Sequence, residues 1–140
     1  MAARITLVSH IEKVAREIDK AAEARVFEAV NLVRHRVLEK LSGTRSGRRY
    51  RVPGTTQWYT ASAPGEAPAV ATGALRQSIQ VQVVRRDDGI VGAVGSRLDT
   101  SVYLETGTRT MAPRPFLGPA FEESRPEIER ILSEEWFSCR

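Results

Sequence analysis

Cysteine is nearly absent: the 140 residues hold one, Cys139. A single thiol closes no bridge within the chain, so packing alone has to hold the fold. Histidine is scarce too, with only His10 and His35, 25 positions apart. Both fall in one expected helix, separated by about 37 Å at 1.5 Å per residue. They cannot share a metal ion within one chain, and no metal or other cofactor is expected. No stretch approaches the roughly 20 apolar residues that a spanning helix needs, so no membrane contact is expected. Residues 1–9 lack the apolar run and cleavage site of a secretory signal. Gly-Lys-Ser/Thr phosphate loops and Gly-x-Ser-x-Gly elbows are missing. Cys139 has no positioned base, and Asp87 and Asp88 sit in an expected solvated turn. No enzymatic activity is expected.

Lysine is rare as well: Lys13, Lys20 and Lys40 are the only three, and arginine supplies the other cations of a chain with net charge +4. Arginine suits bidentate pairing with carboxylates and phosphates. A GC-rich coding sequence produces the same bias, and both explanations stand. Hydrophobic residues make up 41% and aromatics 6%. That is enough for one modest core in a single domain spanning residues 1–140.

What is present falls into ordered blocks. Ile11, Val14, Ile18, Ala22, Val26, Val30, Val33, Val37 and Leu41 recur at three- and four-residue steps. The spacing predicts one helix over 9–41, with Ser9 and Glu12 as a capping box and Ser42-Gly43 as its stop. Such a helix is about 50 Å long, longer than a small core, and a helix of that kind usually packs on a neighbour. Residues 44–70 are a long loop or hairpin, rich in Gly, Pro, Ser and Thr, with Pro53-Gly54 as the turn. Ile79, Val81 and Val83 alternate with Gln80 and Gln82, then Asp87-Asp88-Gly89 turns the chain and 90–95 returns as a second strand. Residues 102–105 form a strand or a single helical turn. Ile128, Ile131, Leu132 and Trp136 mark a last helix, for which Ser124 and Glu127 offer a capping box and Pro126 a kink or restart. The class is α+β: a long N-terminal helix, a small antiparallel β-sheet with an extended loop or hairpin, and a C-terminal helix.

Charge is segregated along this order. Arg45, Arg48, Arg49 and Arg51 cluster with Tyr50, Trp58 and Tyr59, and no acid lies between Glu39 and Glu66. Glu122, Glu123, Glu127, Glu129, Glu134 and Glu135 outnumber Arg125 and Arg130 near the other end. The basic aromatic cluster has three readings. It is a subunit or partner interface, where Arg, Tyr and Trp are enriched. It is a small nucleic-acid-binding module that grips phosphates and stacks on bases. Or it is a solvated loop.

Two blocks are more specific. Residues 62–79 read SAPGEAPAVATGALRQSI, and residues 103–121 read YLETGTRTMAPRPFLGPAF. With a short hairpin between them they resemble the siphophage tail-component family, whose members are described as tail-completion, neck or head–tail joining proteins. Thr72, Gly73, Leu75, Arg76, Ser78 and Ile79 supply the first motif. Tyr103, Glu105, Gly107 and Thr108 supply the second, and Pro115, Phe116, Leu117, Pro119 and Ala120 the third. The family often has a longer run from Tyr to Glu; here Leu104 alone intervenes. The resemblance covers about residues 44–132.

The resemblance implies a structural virion protein: a ring, expected to hold six copies, at the head–tail junction of a tailed phage, assembled in the host cytoplasm. Its implied partners are other copies of itself, head-completion or connector proteins, and the tail tube or tail terminator, with transient contact to genomic DNA in the bore. The motif residues read as scaffold. Phe116 and Leu117 plug the core, Glu105 pairs with Arg76 or Arg114, and the basic loop meets the neighbour's acidic helix.

Overall fold

The computed structural model describes residues 10–134. Ser9, Glu135, Trp136 and Cys139 lie outside the described residues. The elements run α1 (Ile11–Ser42), β1 (Arg49–Arg51), β2 (Trp58–Thr60), α2 (Ala74–Ser78), β3 (Ile79–Arg86), β4 (Gly89–Ser96), α3 (Thr100–Thr106) and α4 (Leu117–Ser133). β1 pairs antiparallel with β2, and β3 with β4, as two separate two-stranded sheets. The architecture is α+β, as the periodicities predict.

Only the second half of α1 enters the core. Ala29, Val30, Val33, Val37 and Leu41 are its buried residues. Val33, Val37 and Leu41 cluster with Ile79, Phe116 and Ala120, and Leu38, Leu75, Val94, Leu104 and Ile128 pack around them. α4 lies antiparallel along this half: Lys40 meets Glu123 at 2.6 Å near one end and Arg25 meets Glu134 at 2.9 Å near the other. The β3–β4 hairpin covers another side of the helix. At Gly92 a Cβ would come within 2.4 Å of Val30 Cγ1 and 2.8 Å of Val26 Cγ1, so only glycine lets strand and helix approach this closely. Further out, Arg85 reaches back to Asp19 and Glu23, both at 3.2 Å.

α1 stops where the Ser42-Gly43 signal puts it, by a different device. Gly43 is extended, with φ −68° and ψ 166°, not left-handed. The Arg45 guanidinium closes the helix end instead, donating to the Lys40 and Thr44 carbonyls.

The segment 102–105 is helical, inside α3. Four residues cannot distinguish a strand from a turn of helix by pattern, and the Leu104 side chain packs on the core from the helix. α4 begins at Leu117, seven residues before the expected Ser124 cap. Ser124 is instead buried within the helix, its Oγ donating to the Ala120 carbonyl at 2.7 Å. Pro126 lies inside α4 without ending it.

The early start has a clear cause. Phe116, the residue before α4, supplies no side-chain cap. The cap comes from α3. Glu105 Oε2 accepts from the Phe116 and Leu117 amides at 2.8 and 3.0 Å, and Oε1 accepts from the Gly118 amide at 2.7 Å. Three otherwise orphaned N–H groups at a positive helix end thus meet one carboxylate. This corrects the expected pairing of Glu105 with Arg76 or Arg114: its oxygens are occupied by backbone, and Arg114 donates to Ser62 Oγ at 2.6 Å. Gly107 makes the geometry possible. Its φ is 78°, and a Cβ there would sit 2.9 Å from the Met111 oxygen and from Pro113.

Glu105→Ala is expected to cost about 2 kcal/mol in urea unfolding, and Glu105→Gln roughly half of that, since one carbonyl acceptor remains. A double-mutant cycle with Arg76 should show no coupling beyond about 0.5 kcal/mol. Strong coupling would restore the arginine pairing.

Candidate functional site

The basic aromatic cluster folds into the β1–β2 hairpin. Its register places Arg49 opposite Thr60, Tyr50 opposite Tyr59 and Arg51 opposite Trp58. Alternation then sorts the side chains. Arg49, Arg51 and Trp58 share one face, with the Arg49 guanidinium 5.8 Å from the Trp58 ring centre across the diagonal. Tyr50 and Tyr59 share the other, their rings 6.1 Å apart. Trp58 remains 60% exposed, and Arg48, Arg49, Tyr50 and Arg51 are exposed with it. Arg51 is partly engaged, its Nε donating to the Thr55 carbonyl at 2.7 Å.

Arg45 is engaged within the chain. Besides closing α1 it donates from Nη2 to the Pro68 carbonyl at 3.0 Å, tying the hairpin's entry to the loop that leaves it. Glu66 does the same from the opposite side. Its carboxylate accepts from Ser46 Oγ, from the Ala63 amide at 2.8 Å and from the Ser46 amide at 3.1 Å. The Ser46 hydroxyl, then the Ala63 and Ser46 amides, hold the Glu66 carboxyl well below its usual 4.5, at about 2. Sequence spacing did not single out Glu66, because its partners become neighbours only when the hairpin closes.

A second exposed surface lies on α1. Ile11, Val14 and Ile18 continue the helix's apolar stripe beyond the core and are 76%, 49% and 40% exposed. Beside the point where the stripe meets the core, Val26, Val30, Ile90, Leu117, Phe121 and Ile128 line an apolar groove of about 520 Å³.

The motif residues divide between scaffold and surface. Gly73, with φ 81°, precedes α2, and Thr72 Oγ1 accepts from the Ala74 amide at 3.4 Å. Leu75 packs on the core, and buried Ser78 shares a 2.6 Å hydrogen bond with Ser96. Phe116 is fully buried, Leu117 packs beside it, and Pro115 and Pro119 flank the start of α4. Tyr103 and Arg76 are exposed. His35 pairs with Glu39 at 3.3 Å on the surface of α1, and His10 is the residue before it. Among the described residues no group of His, Cys, Asp and Glu is arranged to hold a metal ion, and no helix is long and apolar enough to cross a membrane.

The Ile11–Val14–Ile18 stripe and the hairpin's Arg49 and Trp58 thus lie uncovered at the surface. The chain belongs to the phage family described as "Bacteriophage HK97-gp10, putative tail-component", whose model matches residues 6–107. It is thus a structural phage tail component. The match takes in α1, the first motif and the second through Gly107, and stops before the Pro115–Ala120 motif, whereas the motif resemblance spans about residues 44–132. No curated protein and no solved structure matches the chain.

Glu66 carries a pH prediction. Its folded-state pKa is depressed, so the stability it lends is complete above about pH 4.5 and is lost as pH falls towards 2. Thermal melts followed by circular dichroism should show a steeper loss for the wild type than for Glu66→Gln across that window. Parallel curves would mean that Glu66 contributes nothing to the acid limb.

Proposed function

We propose that this tail component works as a ring at the head–tail junction, joining or completing the tail through contacts between its own copies. The observation that carries this reading is the exposed Ile11–Val14–Ile18 stripe, projecting from a helix whose other half is core. An aliphatic stripe left in water is a standing incentive to associate. Placed on a neighbour's apolar groove, it joins two different surfaces of one subunit. Contacts of that heterologous kind close into rings when the rotation permits. The neighbours of such a ring would be connector or head-completion proteins on one side and the tail tube or terminator on the other.

The β1–β2 hairpin supplies a second contact, with Arg48, Arg49 and Trp58 at its surface. Its exposed Arg49–Trp58 pair also suits a nucleic-acid strand, which is the alternative reading. The two differ in salt response: DNA affinity would fall as a power of the salt concentration, with a slope set by the phosphates neutralised.

The combined substitution Ile11→Gln, Val14→Gln and Ile18→Gln lies outside the core. It should therefore leave the melting temperature unchanged while converting a sedimenting oligomer to monomer. An oligomer that survives it rules this stripe out as the contact. Reversing Arg48 and Arg49 to glutamate should weaken assembly by a smaller factor that shrinks as salt rises. Unaltered mass at low salt would exclude the hairpin.

A further inference from the structure

The two sequence blocks, residues 62–79 and 103–121, converge on a pocket of about 210 Å³, and its lining includes Ser62, Thr72, Leu75, Arg76, Leu104 and Arg114. The two arginines come from separate segments, Arg76 from α2 and Arg114 from the loop between α3 and α4. Arg114 is firmly placed. Its amide donates to the Leu104 carbonyl at 2.7 Å, and Nη1 donates to Ser62 Oγ at 2.6 Å. Its Nε is buried and meets no acceptor among the described residues. Neither Arg76 nor Arg114 pairs with a carboxylate among the described residues, although most other ion pairs of the chain involve arginine.

The two carboxylates within these blocks are already taken. Glu66 is filled by Ser46 and Ala63, and Glu105 by the three α4 amides. A half-buried guanidinium with an orphaned N–H and no counter-charge is unfavourable as it stands. An anion brought into the pocket supplies the missing counter-charge to the two guanidiniums that line it, through strong charge-assisted bonds. The rest of the lining selects among anions. Leu41, Leu75 and Leu104 line the pocket beside the hydroxyls of Ser62 and Thr72, and the three leucines suit a methylene stem that a bare phosphate lacks.

We propose that this pocket is a receptor for a carboxylate on a short aliphatic stem, namely a glutamate or aspartate side chain presented by another polypeptide. The site belongs to the single chain, so it does not rest on the ring: a monomer would bind the same group.

Sodium butyrate serves as the probe, titrated into the full chain at constant ionic strength. Arginine Nε–H resonances are followed by ¹⁵N NMR. The Arg114 Nε–H signal should move saturably, and butyrate should bind more tightly than inorganic phosphate. Arg76→Gln, on the exposed rim, should weaken binding about tenfold without changing the rest of the spectrum. A linear, unsaturating response overturns the proposal, as does equal binding by Arg76→Gln or a preference for phosphate. With the site occupied, sedimentation tells the two sources apart. Dissociation of an oligomer assigns the carboxylate to a second copy, and an unchanged mass assigns it to a different protein of the particle.

Discussion

The carboxylate of Glu105 sets where the last helix begins, and the core follows from that choice. By accepting from three consecutive amides it fixes the first turn of α4 one residue after Phe116. Phe116 is thereby aimed into the cluster of Val37, Leu41 and Ile79 and is fully buried there. Removing a phenylalanine from such a site costs about 3–5 kcal/mol, a large part of the stability of a chain this size. A glutamate two residues before a positive-φ glycine is therefore a structural unit. Gly107 turns the chain, the 108–115 loop returns it, and the carboxylate receives the new helix. Moving Glu105 by one position would rotate it about 100° around α3 and away from those amides.

Several cations act as clamps between elements. Arg45 closes α1, and Arg85 holds the β3–β4 hairpin to Asp19 and Glu23. The acidic character of α4 is largely answered from within. Glu123 meets Lys40, Glu127 meets Arg36 at 3.9 Å, and Glu134 meets Arg25 and Arg130. Pairs this exposed contribute about 0–1 kcal/mol each, so they orient α4 more than they stabilise it. They also reduce the charge left on α4 to attract a neighbour's basic loop. Electrostatic closure between hairpin and α4 is accordingly a weaker device than the linear separation of charge suggests.

Sequence patterns made the local elements legible and left the long-range caps hidden. α1 could be read because nine apolar residues keep one face over thirty positions. The β3–β4 hairpin could be read because Val81 and Val83 alternate with glutamines before Asp87-Asp88-Gly89. Pro53-Gly54 marked the turn of β1–β2. α4 was misplaced because Ser124 and Glu127 form a locally valid start signal, while the true cap lies on another element. The same limit applied to the candidate surface. Clustering put Arg45 with Arg48 and Arg49, yet Arg45 turns inward to a carbonyl 23 positions away. Glu66 and the pocket at Arg114 are likewise products of chain closure, and no spacing announces them.

Magnitudes constrain how the exposed half of α1 can act. Its residues include Ala15, Lys20, Ala21, Ala22 and Ala24, good helix formers that extend a helix already nucleated by the core. Such an arm is ordered before it meets anything, so association loses little chain entropy there. Burying Ile11, Val14 and Ile18 completely returns roughly 3–5 kcal/mol, given that each is already partly covered. Bringing two molecules together costs about 4–15 kcal/mol before any contact counts. One stripe in one groove therefore falls short of a stable pair. Stable assembly needs a second contact on the same subunit, or a closed ring in which breaking one interface leaves the others intact. The hairpin and the two-arginine pocket lie away from the stripe, where an added contact would supply what the apolar arm lacks.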